Sequence, residues 1–413
     1  MKRLDYQELT PMTPGWLATV GGLLAVIVAA LGAVFYMEHS GHWVTGMNNQ
    51  VVWGTPHVFA VFLIVAASGA LNVASIGSVF GREAYQPLGR LSGLLAIALL
   101  AGGLATLVLD LGRPDRLMVA MTHFNFKSIF AWNVILYSGF FGIVGFYLWA
   151  MMDWQMKGFY KPAAVAAFVW RLVLTTGTGS IFGFLVAREG YGSAVMAPMF
   201  IAMSFAFGLA FFILVVLGVY NATNRPLGSD VVGMMGRLLG VFCAANLYFV
   251  AVQHVTSLYW AGKGGVEAFI LAGGGVYTFL FWAVQVLLGG LVPMVILFQK
   301  GATRCMIRFA SQLVILGGLA QVYVIIIGGQ AFPLTLFPGM EVSSSFMDGQ
   351  VHGYAPTLPE IVLGLGGFAI TLLITVIGST FLRILPASLG QADAAEGDVH
   401  AAADHAGETA PAE

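Results

Sequence analysis

Long apolar runs alternate with short polar connections from one end of the chain to the other. The runs fall at 15–37, 57–80, 91–112, 127–152, 162–187, 197–220, 234–260, 272–298, 307–331 and 360–384. Each is long enough for a helix to cross a bilayer, which takes about 17–25 residues. They predict an all-α polytopic membrane protein with ten spans. The organisation that follows is a short N-terminal segment at 1–14, a membrane domain at 15–384 and a tail at 385–413. Residues 390–413 hold six acids, no Lys or Arg and many Ala, a composition that cannot build a core and is expected to be disordered.

An even number of spans puts both termini on one side, and the basic residues say which. Twelve Lys and Arg lie in the connections on the terminal side, against five on the opposite side and Arg171 inside a span. The positive-inside rule therefore places both termini in the cytoplasm. On that topology all six histidines outside the tail are external: His39, His42, His57, His123, His254 and His352.

Composition agrees. Hydrophobic residues make up 59% of the 413 and charged residues only 9%, values a soluble domain would reach only by exposing large apolar patches. A net charge of −1 gives no footing to a nucleic-acid partner. Cys243 and Cys305 stand alone, without the spacing of a zinc or iron–sulfur site, so no metal centre is expected in this chain.

With so few charges, their clustering matters. Leu107–Ser128 carries Asp110, Asp115, Arg113, Arg116, Lys127 and His123 with two phenylalanines between two apolar helices. Pro114 cannot continue a helix, and Arg113 suits the negative end of the helix dipole. Asp110, three residues earlier, shares a helical face with Arg113. One reading is an interfacial Asp110–Arg113 ion pair that fixes the helix end. The other is that Asp110, at the edge of a low-dielectric core, accepts protons. His123, with Asn125 and flanking aromatics, offers either a solvated loop or the polar edge for a planar dicarbonyl ring.

Three further positions stand out. Trp53 suits the aromatic belt, and His57 follows Pro56 in the first turn of its span, where a histidine needs a partner. His254, beside Gln253 and followed by Thr256, Ser257 and Tyr259, makes a polar cluster that could face the same cavity. Arg171 lies near mid-bilayer with no acid in any span centre to neutralise it, which points either to a proton path with Thr175 or to capping by backbone carbonyls. An internal echo, GRLSG at Gly89 and GRLLG at Gly236, with Trp132-Asn133 and Trp282 through Gln285 in the following spans, predicts two related four-helix bundles at spans 2–5 and 6–9.

Three segments together give the chain a family resemblance: LDLGRPDR from Leu109, THFNFKSIFAWNVILY from Thr122 and GGQAFPLTLFPG from Gly328. The chain resembles the NrfD/polysulfide-reductase family of membrane subunits over nearly its whole length. Within it, the FNFKSIFAWN and GGQAFP segments are most similar to the branch (DsrP) linked to dissimilatory sulfite reductase. The resemblance implies a subunit of a respiratory or sulfur-metabolism complex in the bacterial inner membrane. That subunit would react with quinone (menaquinone or ubiquinone) while holding no haem or iron–sulfur cluster. Its electrons would pass through an external ferredoxin-like iron–sulfur partner, with further membrane and cytochrome subunits alongside. By motif position, Asp110 and Arg113 match the DLGRP element and His123 matches the histidine before the fourth span. His57 lies about one helical turn from a quinone-contacting Asn/His pair.

The combined expectation is a pocket between spans 2, 3, 4 and 7 at the outer face. Asp110, His123 and Arg113 would serve proton exchange there, with Trp53, His57, Asn125, Asn133, His254 and Tyr259 against the ring. Two other classes stay open. One is a haem b anchor, for which only His57 and His254 are placed as ligands. The other is a proton-conducting protein or secondary transporter centred on Arg171.

Overall fold

The computed structural model describes residues 5–333 and 353–390. His352, the second half of the GGQAFPLTLFPG segment and the tail from 391 lie outside them. Ten helices are long and apolar enough to cross a membrane. They are α1 (Pro14–Ser40), α2 (Thr55–Ser78), α3 (Gly89–Leu109), α4 (Ile129–Met152) and α5 (Tyr160–Phe184), then α6 (Met196–Ala222), α7 (Ser229–Tyr259), α8 (Val276–Phe298), α9 (Arg304–Ala331) and α10 (Leu358–Phe381). Helices meet the requirement that every backbone polar group in lipid be bonded within the segment. Their ends carry ordinary signals: Pro56 in the first turn of α2, Thr303 capping α9, and a Thr357/Glu360 capping box on α10.

The ten helices form two four-helix bundles and a flanking pair. In one bundle α2 packs on α3 and α5, and α4 on α3 and α5; in the other α6 packs on α7 and α9, and α8 on α7 and α9. The bundles meet mainly along α2 and α6, most of whose residues are buried. α10 lies on α2 and α3, and α1 lies on α10. The repeat expected from the GRLSG echo has its counterpart in this equivalent packing. It has another in two indoles at matching places: Trp132 donates to the Phe126 carbonyl at 2.9 Å and Trp282 to that of Leu271 at 2.9 Å.

Small residues set the closest crossings, as helix association in lipid favours. A Cβ on Gly69 would lie 1.6 Å from the Ser204 carbonyl oxygen, and one on Gly208 would lie 2.2 Å from the Ala70 nitrogen. No side chain fits between α2 and α6 there.

The wide turns are local. Leu280–Leu291 in α8 and Val324–Gly328 in α9 are π-helical. In α8 the widened stretch runs into Pro293, whose ring has no N–H and would clash with the carbonyl four residues back in a regular helix.

The termini differ from expectation. Tyr6–Gln7 (β1) pairs antiparallel with Leu385–Pro386 (β2), and Leu389 bridges to Leu227. Residues 385–390, placed with the tail, are thus part of the fold, because their backbone groups find partners on the N-terminal segment and on the Pro226–Gly228 turn. The pairing brings the segment before α1 and the segment after α10 together at one face. The opposite, distal face carries the ends of the odd-numbered helices and two short helices that the apolar pattern left in connections, Leu117–Thr122 and Gly264–Leu271.

Candidate functional site

α2 runs down from the distal face and α3 runs back up beside it, so the start of one meets the end of the other. Pro114 stops α3 as its chemistry requires, and Asp110 caps the helix with its N–H on the Thr106 carbonyl. That leaves the Asp110 side chain at the mouth of the bundle, with none of it exposed. His57, in the first turn of α2, brings Nδ1 to 2.8 Å from Asp110 Oδ2. The approach is close but out of line for a hydrogen bond, and among the described residues neither carboxylate oxygen has another donor. Two titratable groups therefore share a desolvated contact that a small shift or a third polar group would complete.

The expected Asp110–Arg113 pair does not form. Arg113 turns outward and grips Asp115 with two hydrogen bonds of 3.0 and 2.9 Å, both groups exposed. Mutual bonding holds the Asp115 carboxyl below, and the Arg113 guanidinium above, their ordinary values. The physical reason is Pro114: the helix ends at Leu109, and residue 113 no longer follows the helical face of residue 110.

Aromatic rings wall the pair. Trp53 stacks on His57 at 6.2 Å and meets Phe130, Phe182 and Tyr191 at 6.1, 6.1 and 6.4 Å. Gln330 holds Trp53 in place: its Oε1 accepts from the Val52 and Trp53 N–H groups at 2.9 and 3.0 Å, and its Nε2 donates to the Trp53 carbonyl at 3.0 Å. Gln50 and Arg188 complete the clamp, Gln50 through the carbonyls of Gln330, Ala331 and Phe332, and Arg188 through that of Gln50. The described part of the GGQAFP segment is therefore the support of the wall.

Below the pair, the first bundle has a polar interior. Asn133 is buried and bridges α4 to α5 through the Gly177 carbonyl at 3.1 Å and the Thr178 hydroxyl at 3.4 Å. Arg171 is 1% exposed, donates to Asn72 Oδ1 at 2.9 Å and lies over Phe168 and Phe205. Backbone carbonyls do not cap its guanidinium; an amide and two rings do, and Nε and Nη1 have no partner among the described residues. Thr175 donates to Ser68 at 2.6 Å, and Ser68 to the Arg171 carbonyl.

The remaining candidates lie elsewhere. His123 and Asn125 are exposed, with His123 beside Thr122 and the Val119 carbonyl, and Asn125 closing its own turn with the Lys127 N–H. His254 belongs to the second bundle, where Nδ1 lies 2.6 Å from Glu267 Oε2. A single pocket between spans 2, 3, 4 and 7 is thus replaced by two His–carboxylate pairs, one at the distal mouth of each bundle. Tyr259 is 93% exposed, because five residues of helix carry it away from the face of His254, whereas Ser257 at three residues stays buried.

Several residues escaped the sequence. Glu267 sits in a polar connection and gives no periodic signal. Glu360 is fully buried and gathers the Gly46 N–H, the Thr357 N–H and hydroxyl, and the Tyr354 hydroxyl at 2.5 Å, while Tyr354 also accepts from the Thr55 N–H. Burial and that carboxylate push the Tyr354 hydroxyl above its usual range. This latch fixes the start of α2; its one sequence signal is the Thr-x-x-Glu capping pattern.

Comparison with known proteins adds identity to the geometry. A family model described as Polysulphide reductase, NrfD matches residues 43–334. The chain is 28% identical over 369 residues to the Hdr-like menaquinol oxidoreductase integral membrane subunit of Archaeoglobus fulgidus, covering 88% of this chain and 93% of that one. It is 27% identical over 415 residues to a putative dimethyl sulfoxide reductase membrane subunit of Halobacterium salinarum, covering 92% and 93%. It is 25% identical over 362 residues to the probable Ni/Fe-hydrogenase 2 b-type cytochrome subunit of Escherichia coli, covering 83% and 86%.

Proposed function

The chain belongs to the polysulphide reductase NrfD family, and from that membership we propose that it is the quinone-reactive membrane subunit of a respiratory oxidoreductase complex. The observation that carries the reading is the His57–Asp110 contact of 2.8 Å under the Trp53 ring. A quinol brings two electrons and two protons, and the chain that receives it must take the protons. Asp110 offers buried oxygens without donors among the described residues, His57 a partly exposed imidazole, and Trp53 with Phe130 a flat apolar wall. These residues fit a ring with polar atoms at its edge. His57 would meet the ring oxygen and hand its proton to Asp110, and Trp53 would keep water from the ring face. Naming of the A. fulgidus relative as a menaquinol oxidoreductase subunit favours a naphthoquinone.

In this reading the distal face is external, as the twelve-to-five distribution of basic residues favours. Electrons pass to an external iron–sulfur subunit, since the chain's two cysteines, one buried in α7 and one exposed at the start of α9, make no cluster-binding set. His123, Arg113 and Asn125, exposed near the mouth, would face that partner. Arg171 with Thr175 would relay protons within the bundle. Placement in the sulfite-reductase-linked branch rests on the FNFKSIFAWN and GGQAFP segments alone.

A haem b anchor is the second reading, raised by the b-type cytochrome name of the hydrogenase relative. Against it, His57 and His254 each lie against a carboxylate of their own in separate bundles, so the described residues do not bring these two face to face. Titrating the purified chain with a soluble naphthoquinone tests the first reading. It should give a saturable quench of indole fluorescence that Trp53→Phe removes. An unchanged quench in that variant would remove the site, and a Soret band belonging to this chain alone would favour the haem reading.

A further inference from the structure

The second bundle has a polar interior that the quinone reading does not use. At its distal mouth His254 and Glu267 approach to 2.6 Å, with side chains 18% and 5% exposed. Beside them is a cavity of about 40 Å³ whose polar lining is Glu189, Gln253, Ser257, Gln285 and Gln321 with the pair itself. Deeper in the bundle a second cavity of about 10 Å³ shares Gln285 and Gln321 and adds Asn246. Gln285 lies in the π-helical stretch of α8, is 7% exposed, and its Oε1 has no partner among the described residues. π-helical turns are frequent at functional sites. Asn246 and Gln321 exchange amide hydrogen bonds of 2.8 and 3.3 Å at the inner end.

Size decides what these cavities hold. Pockets for organic ligands run to about 300–1,000 Å³, whereas one water needs roughly 10–15 Å³ and two to four polar partners. The upper cavity therefore fits about three waters and the lower about one. No quinone ring fits either.

We propose that the second bundle carries a proton inlet of its own: a file of water leading from the distal surface, through the His254–Glu267 pair, to Gln285, Gln321 and Asn246. A proton added from water at His254 Nε2 lets the Nδ1 proton cross to Glu267 Oε2. Glu267 then releases a proton to the cavity water, so one proton moves inward; His254 is left as its Nε2–H tautomer, and a flip of the ring, which brings that N–H back to the carboxylate side, resets the pair. Two other charged groups lie nearby. Glu189 sits on the cavity lining, and Lys263 is held by the Tyr191 and Gly192 carbonyls, with burial lowering its amine below the usual value against the opposing pull of Glu267. Neither interrupts the pair.

Two measurements on the full chain in lipid nanodiscs test this without quinone, so their failure leaves the quinone reading standing. Hydroxyl-radical footprinting should oxidise Met196 and Met199, which line the upper cavity yet are 3% and 2% exposed, several-fold faster than Met203, deeper in α6 and outside both linings. Equal, slow oxidation of all three would mean a dry bundle and overturn the inlet. After a jump to acid, the infrared band of protonated Glu267, identified by its loss in Glu267→Gln, should rise quickly in the native chain and several-fold more slowly in His254→Phe. Equal rates would overturn the role of the pair.

Discussion

Replacing Asp110 by Asn separates chemistry from architecture. The Asp110 side chain is fully buried, its nearest polar group is His57 Nδ1 at 2.8 Å, and its oxygens lack other donors among the described residues. A desolvated carboxylate so placed costs stability unless it is paired and hydrogen-bonded. The neutral amide should therefore leave the unfolding temperature of the assembled complex unchanged or slightly higher. Turnover should fall, because a group that takes a proton directly contributes about 10²–10⁴-fold, or about 2.7–5.4 kcal/mol at 1.36 kcal/mol per decade. His57→Gln should fall in the same range. Since the two groups would share one proton, the double variant should be no slower than the slower single one. The assay is oxidation of a reduced naphthoquinone by the complex with an artificial acceptor, next to a thermal-unfolding trace of each variant. Native turnover in Asp110→Asn, or single losses that multiply in the double variant, would refute the shared-proton argument.

Other variants probe the frame around the pair. Gln330→Ala removes four hydrogen bonds, to the N–H groups of Val52 and Trp53 and the carbonyls of Trp53 and Ile326. It should cost about 2–3 kcal/mol in unfolding measurements, and the loosened Trp53 should raise KM for quinol more than it lowers kcat. Arg171→Met removes a buried cation whose guanidinium, among the described residues, is bonded only to Asn72, so stability should hold or rise. If Arg171 relays protons, turnover should fall on the order of tenfold, less than for a group that takes the proton directly; native turnover would remove it from the path. Gly208→Val places a side chain 2.2 Å or closer to the Ala70 backbone, where nothing can yield. Overpacking of this kind costs about 3 kcal/mol or more, and size-exclusion chromatography should show loss of folded protein.

The spans and their number were legible because lipid imposes one solution on a long apolar run. The bundles were legible through the GRLSG echo and the tryptophans after it. What a side chain touches was less so. Asp110 was matched to Arg113 because periodicity speaks only of neighbours on one helix, while its contact, His57, stands on an antiparallel neighbour 53 positions earlier in the sequence (110 − 57). His254 was grouped with His57 because both lie at one face, and only packing shows that each belongs to a different bundle. Glu267 and Glu360 gave little signal: an acid at or near the edge of an apolar run looks solvated until the chain packs over it. The wide turn of α8 had a partial sign in Pro293, but not its extent.

The central claim is that a quinone ring sits against Trp53 at the His57–Asp110 mouth of the first bundle. Photolabelling the assembled complex with an azido-naphthoquinone, followed by peptide mapping, tests it most directly. Adducts in residues 51–57 and 126–133 that excess unlabelled quinone suppresses are the predicted result. Competable adducts confined to the second bundle, around His254 and Glu267, would contradict it.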